Sequence, residues 1–186
     1  MKIAIISDIH ENLNNLLRAL DLIRDHRAEK ILCLGDLINP GIAKELAHCG
    51  IPVFSIWGNN DGDKVTITKI VLQPDSELEM SDKTYAAVEI DERHIFMTHY
   101  PDLVKPASLS GMYDAVFYGH DHDRSEAQIG ECLIINPGEL SAQKTRSATF
   151  VIYDTEKNKA EFIAVEQFVS TRTEFVDQYF AYRKPD

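Results

Sequence analysis

Nothing constrains the fold of this chain more than its first sixty residues. Three short apolar runs rich in β-branched residues, at 2–7, 30–34 and 52–57, alternate with two segments of helical periodicity. Strand, helix, strand, helix, strand implies parallel neighbours joined by right-handed crossovers, because a parallel connection needs a dozen or more residues to return. Leu13, Leu16, Leu17, Leu20 and Ile23 form one stripe, with Arg18, Asp21 and Arg24 turned to water, as in an amphipathic helix lying on a sheet. The second helix, at 42–48, ends before Gly50, which is placed for the left-handed cap position ahead of the third run.

Four more runs of the same character, at 94–98, 115–118, 132–135 and 149–153, are spaced closely enough for hairpins, so an α/β fold with mixed sheets is expected. Residues 62–72 are ambiguous between helix and irregular structure, and 74–83 read as a polar loop. With 186 residues and about 150 per domain, a single domain over 1–186 is expected. Phe175, Val176, Tyr179, Phe180 and Tyr182 make 167–186 an amphipathic tail helix that packs on its own domain, a homodimer contact being the alternative.

Composition narrows the function. Nineteen Lys and Arg against thirty Asp and Glu leave a net charge of −11, which argues against an extended nucleic-acid surface, since such surfaces neutralise phosphates with cations. Cys33, Cys49 and Cys132 are scattered and odd in number, with neither a disulfide framework nor a zinc-ribbon spacing, and fit a reducing cytoplasm. The apolar run at the start is far too short for a membrane span, so a cytoplasmic location without a membrane partner is expected.

Five polar motifs each follow a predicted strand: Asp8-Ile9-His10, Gly35-Asp36, Gly58-Asn59-Asn60-Asp61, Thr98-His99 and Gly119-His120-Asp121-His122. In an open α/β sheet, ligands gather beyond the carboxyl ends of the strands, so the five should meet in space. The i, i+2 spacing of Asp8 with His10 and of His120 with His122 would turn each pair to one side of an extended backbone. The glycines before the ligand candidates would permit sharp turns. Singly, each motif has a bland reading as a helix cap or a turn; together, in this order, they point to a metal site. His26, His48 and His94 fall outside the pattern and read as solvent-facing or helix-end residues.

Asp8, His10, Asp36, Asn59, His99, His120 and His122 comprise two carboxylates, four imidazoles and one carboxamide, a set suited to first-row divalent ions. Seven donors exceed one ion's needs. Two ions with one bridging carboxylate would have four protein ligands each, an arrangement used in phosphoryl-type chemistry. Such a site would be slightly positive once loaded, and could hold a small anionic phosphoester on an otherwise acidic protein.

The series Asp8-x-His10, Gly35-Asp36, Gly58-Asn59-x-Asp61, His99 and Gly119-His120-x-His122 resembles the calcineurin-like metallophosphoesterases, over roughly residues 1–165, and in size the small bacterial and archaeal phosphodiesterase branch. The resemblance implies a four-layer α/β/β/α sandwich with two mixed β-sheets. It implies two divalent ions, manganese first, with nickel, iron, zinc or magnesium as alternatives. Asp8, His10, Asp36 and His122 would hold one ion, and Asp36, Asn59, His99 and His120 the other, with Asp36 the bridge. Asp61 would orient a ligand or Asn59 by hydrogen bonding. The implied reaction is phosphodiester hydrolysis by in-line attack of a metal-bridging hydroxide, with Asp36, Asn59, Asn60, Asp61 and His99 its central residues. A phosphomonoesterase and a non-catalytic protein-binding scaffold of the same fold are the alternatives.

This chain departs from the family pattern at three places. Asn60 stands where many relatives carry a His thought to protonate the leaving group; a carboxamide cannot give up a proton, so activated or diester substrates should be favoured over alkyl monoesters. Tyr100-Pro101 puts a ring and a rigid turn at the expected substrate mouth. Glu139 follows Asn136-Pro137-Gly138 where relatives often have Ser, adding a negative charge.

Overall fold

The computed structural model of the chain describes residues 1–166, so the tail helix expected at 167–186 lies outside the described residues. The parallel strands β1 (Lys2–Ile6), β2 (Lys30–Cys33) and β3 (Val53–Ser55) are joined by α1 (Leu13–Asp25) and α2 (Pro40–Ala47). The ambiguous segment forms α3 (Lys64–Val71), capped by Asp63, and β4 (Leu78–Met80) follows. Then come β5 (Tyr85–Ile90), β6 (Arg93–Thr98), α4 (Val104–Leu109), β7 (Ala115–Tyr118), β8 (Ser125–Ile129), β9 (Cys132–Asn136), β10 (Ala148–Asp154) and β11 (Lys159–Val165).

The strands make two mixed sheets, ordered β11-β10-β1-β2-β3-β4 and β5-β6-β7-β9-β8. Alternation along each inner strand builds two cores. Ile3, Ile5, Leu32, Leu34, Phe117, Ile135, Val151 and Tyr153 fill the space between the sheets. Ala4, Ile6, Ile31, Cys33, Phe150 and Ile152 face the other way, under α1 and α2. On the far side α4 covers β7 and β9, completing the α/β/β/α sandwich.

Details differ from the sequence reading. Leu17 lies on the water side of α1, where Asn15 and Ala19 are buried instead. The segment 74–83 is not wholly loop, because Leu78 is buried and β4 pairs in parallel with β3. Gly50 takes the left-handed conformation expected of it, with φ 78°. His26 and His48 cap the carboxyl ends of α1 and α2, and His94 is exposed.

Candidate metal centre

The five motifs converge at one rim, where the carboxyl ends of β1, β2 and β3 meet those of β6 and β7. The Asp8 amide donates to Gly35 O at 3.2 Å, and the His10 amide to Asp36 O at 3.0 Å. Across the sheets, His99 Nδ1 lies 2.8 Å from Leu34 O. The backbone there is not extended as the i, i+2 spacings suggested. Asp8, His10, Asp36, His120 and His122 all have positive φ, between 43° and 74°, a region Asp and His enter more readily than most residues.

The preceding glycines serve close approach more than turning. Only Gly35 has a positive φ, 97°. A Cβ on Gly58 would lie 2.1 Å from Asp36 Oδ1, and one on Gly119 would lie 2.2 Å from Ser7 Oγ. Both carboxylates therefore sit where only hydrogen fits.

Five of the seven expected donors meet in two groups. Asp8, His10 and His122 bring donor atoms within 4.8 Å of one another, as do Asp8, Asp36 and His99. His10 Nε2 is 3.6 Å from Asp8 Oδ1 and 3.4 Å from Asp36 Oδ2. His122 Nε2 is 3.4 Å from Asp8 Oδ1, and His99 Nε2 is 3.7 Å from Asp36 Oδ2. Asp36 Oδ2 thus faces both His10 and His99. Asn59 Oδ1 lies 2.9 Å from His99 Nε2 and 2.8 Å from His120 Nδ1.

Two observations test whether these residues fit a cation. Asp8 Oδ1 and His10 Nε2 are buried and have no hydrogen-bond partner, although such groups are costly to bury unpaired. Secondly, His99 Nδ1 faces the Leu34 carbonyl and so carries a proton, which leaves Nε2, 2.9 Å from the Asn59 oxygen, as the ring nitrogen able to coordinate. The donor set fits divalent ions. Burial alone would raise the Asp8 carboxyl, but the His10 imidazole and the Ser7 hydroxyl, with the His99 and His122 rings, bring it below its ordinary value. Burial opposes charge on His10, yet Asp8, Asp36 and Glu139 raise its pKa above the ordinary imidazole value.

The remaining expected residues act on these. Asp61 makes no hydrogen bond to Asn59 among the described residues; its carboxylate accepts from the backbone amides of Gly58 at 2.7 Å, Ile38 at 2.8 Å and Asp36 at 3.2 Å, tying the loop after β2 to the loop after β3. Asn60 grips Asp36 from two sides, its amide N–H to Oδ1 and its carboxamide to Oδ2, each at 2.7 Å. The Tyr100 ring stands 5.2 Å from the rings of both His99 and His120.

Sequence reasoning missed the work of two residues. Ser7 donates to Asp8 Oδ2 at 2.6 Å, with the His120 amide on the same oxygen at 3.1 Å. Glu139, fully buried, lies 2.8 Å from His122 Nδ1 and accepts from Thr145 N at 2.7 Å, Lys144 N at 2.9 Å, Gln143 N at 3.1 Å, Thr145 Oγ1 at 2.8 Å and the Ser141 hydroxyl. Burial would raise its carboxyl; these donors, Ser141 foremost, bring it down to about 2. The sequence signal was a carboxylate directly after Asn-Pro-Gly at a strand end.

Two mixed sheets with carboxylates and imidazoles gathered at one shared rim define a metallophosphoesterase type of protein. This chain belongs to the calcineurin-like phosphoesterase superfamily, whose domain matches residues 1–158. It is similar to phosphodiesterase MJ0936 of Methanocaldococcus jannaschii, with 33% identity over 89% of this chain and 100% of that protein. It is also similar to phosphodiesterase YfcE of Escherichia coli, at 27% identity over 77% of this chain and 82% of that protein. Among solved structures, one described as a novel archaeal phosphodiesterase superposes with a TM-score of 0.81 at 32% identity, covering 88% of this chain and 99% of that one. The family implies divalent metals, and the Asp and His groups above are able to bind them. Among the described residues, no helix is long and apolar enough to cross a membrane.

Proposed function

We propose that this chain is a metal-dependent phosphodiesterase acting on a small phosphodiester at a site for two divalent ions, manganese first among them. The observation that carries this reading is the pair of buried, unpartnered donor atoms, Asp8 Oδ1 and His10 Nε2, among five convergent carboxylates and imidazoles. Asp8, His10, Asp36 and His122 would hold one ion, and Asp36, Asn59, His99 and His120 the other. When bound, such ions supply Lewis-acid charge that lowers the pKa of water and neutralises phosphoryl oxygens.

The chain's own residues do the rest. His99, with Nδ1 committed to Leu34 O, keeps its only lone pair for a ligand role and is no free base. Asn60 fixes the Asp36 carboxylate and has no proton to release to a leaving group. Tyr100 narrows the mouth beside His99 and His120. Leaving groups that need no protonation are favoured, which supports diesters and activated esters over alkyl monoesters. The similarity to two proteins named phosphodiesterases supports the same substrate class. A scaffold that only binds protein would have no need of seven filled ligand positions. The three free thiols support a reducing, cytoplasmic setting.

The test strips the protein with a chelator, restores manganese and compares a chromogenic phosphodiester with its matching monoester, with Asp36→Asn as control. Metal-dependent diester turnover absent from the control is expected. No turnover with any divalent ion, or faster turnover of sugar monophosphates than of diesters, would overturn the proposal.

A further inference from the structure

Two imidazoles at the rim have their second nitrogen fixed, but by different means. His99 is held by a main-chain carbonyl, Leu34 O, whereas His122 is held by a side chain that carries a full charge, Glu139. The two buried carboxylates near His122 also differ. Asp8 leaves Oδ1 without a partner, as a ligand awaiting a cation would, while Glu139 is saturated by donors on both oxygens. A carboxylate so fully satisfied has no oxygen left to coordinate.

We infer that Glu139 is a positioning residue: it holds a proton on His122 Nδ1, keeps Nε2 turned towards Asp8 Oδ1, and couples that orientation to the loop at 141–145. An ionised carboxylate only accepts, so the 2.8 Å contact places a proton on His122 Nδ1 and leaves Nε2, 3.4 Å from Asp8 Oδ1, as the nitrogen able to coordinate. The same Glu139 oxygens receive three consecutive amides, those of Gln143, Lys144 and Thr145, so the loop closes on the carboxylate rather than on the ligands. The loop touches the other side of the cluster as well, because Gln143 Nε2 donates to His10 O at 3.4 Å and Ser141 N to Asp8 O at 3.0 Å. His99 and His120 have no contact with Glu139 among their hydrogen bonds, so the dependence is one-sided. The inference rests on the two-ion reading above and assigns one of the two ions to Glu139's control.

Glutamine at 139 is a sharp probe. In either amide orientation its NH2 group faces donors, either His122 Nδ1–H and the Gln143 amide or the amides of Lys144 and Thr145. With the NH2 group towards His122 the ring is relieved by moving its Nδ1 proton to Nε2, which removes the lone pair offered to a metal; the other orientation sets NH2 against the Lys144 and Thr145 amides and opens the loop that holds the carboxylate.

The experiment has one arm that needs no variant and one that does. In the metal-free wild type, nitrogen-15 NMR of the His122 ring is expected to show a protonated Nδ1; an Nδ1 without a proton would overturn the proposal. In calorimetric titrations with manganese, Glu139→Gln should weaken one of two sites by about 10–100-fold and leave the other within about threefold. Thr145→Val, which removes one hydroxyl donor but keeps the charge, should retain both. Equal weakening of both sites by Glu139→Gln, or none, would overturn the proposal. A wild type that takes up no manganese would instead sink the two-ion reading, and does so before any variant is compared.

Discussion

Gly119→Ala tests whether the rim is built around the Asp8 carboxylate. The new Cβ would lie 2.2 Å from Ser7 Oγ, 2.9 Å from Asp8 Oδ2 and 3.3 Å from Ser7 Cβ, where ordinary contact begins at 3.4 Å. The worst contact is thus about 1.2 Å too short, with an oxygen that is itself hydrogen-bonded to Asp8. Overpacking of this kind costs about 2 kcal/mol. Ser7→Ala alone removes a donor from a buried carboxylate whose Oδ2 keeps the His120 amide, at a cost of about 1.5 kcal/mol. With both changes the Ser7 oxygen is gone and the nearest obstacle is Asp8 Oδ2 at 2.9 Å, a shortfall of about 0.5 Å. The double variant should therefore be more stable than the sum of the single effects by about 1 kcal/mol, which lies within the range of coupling between touching residues. Urea unfolding of the chelator-treated protein measures all four corners of the cycle, and an unchanged slope with denaturant confirms that the unfolded state is the same. Gly119→Ala should lower Tm by about 4–8 °C. Strict additivity, or wild-type stability in Gly119→Ala, would refute the close-approach reason for this glycine.

Other perturbations separate the supporting residues from the ligands. Asp61→Ala orphans three backbone amides that now share one carboxylate and should cost about 3 kcal/mol in urea unfolding; a loss below about 1 kcal/mol would mean that water replaces it. Asn60→Ala should keep both ions, because the Asn60 amide still holds Asp36 Oδ1, and should loosen manganese by no more than about tenfold; loss of an ion in metal analysis would contradict this. Glu139 has its pKa lowered from 4.5 to about 2, so its stabilisation is complete above pH 4.5 and is lost as pH falls through about 2. The stability gap between wild type and Glu139→Gln should narrow by about 3 kcal/mol over that window, and a gap independent of pH would refute it. His10 has its pKa raised, so protons compete with metal there, and manganese affinity should begin to fall at a pH above 6.5; an affinity flat from pH 8 to 6 would count against His10 as a ligand.

How much of this was legible in the sequence depends on where each element sits. Seven strands were readable as apolar runs, and they are the interior strands β1, β2, β3, β6, β7, β9 and β10. The four that escaped, β4, β5, β8 and β11, are the sheet edges among the described residues. Interior strands are covered on both faces and read as continuous hydrophobic stretches. Edge strands are not so constrained: Ser-Glu-Ala-Gln-Ile in β8 carries no buried residue, and β5 alternates exposed with half-buried positions. The identities and order of the ligand candidates were legible because the chemistry demands those residue types at strand ends. The part played by Glu139 was not, since its partners come from a loop at 141–145 that has no periodicity to read.

The left-handed conformations at the rim decide how the ligands can be tested. Along an extended strand successive side chains point to opposite faces, so donors from two sheets could not all be turned towards one rim. A left-handed step at Asp8, His10, Asp36, His120 and His122 leaves that alternation and brings the side chains together. Such a step costs about 1 kcal/mol or more for most residues, and less for Asp, Asn and His. Here it is held by backbone bonds, including His10 N to Asp36 O at 3.0 Å and the grip of Asp61 on the Asp36 amide. An alanine at Asp36 would therefore combine lost charge with added backbone strain, and a loss of metal would have two explanations. Asparagine tolerates φ 55° and nearly preserves the shape, so Asp36→Asn changes the charge while leaving the turn in place. Its one local cost is that one of the two Asn60 donors loses its acceptor. Loss of both ions with the fold retained assigns the effect to the carboxylate, whereas loss of the fold would mean that the charge also holds the rim together without metal.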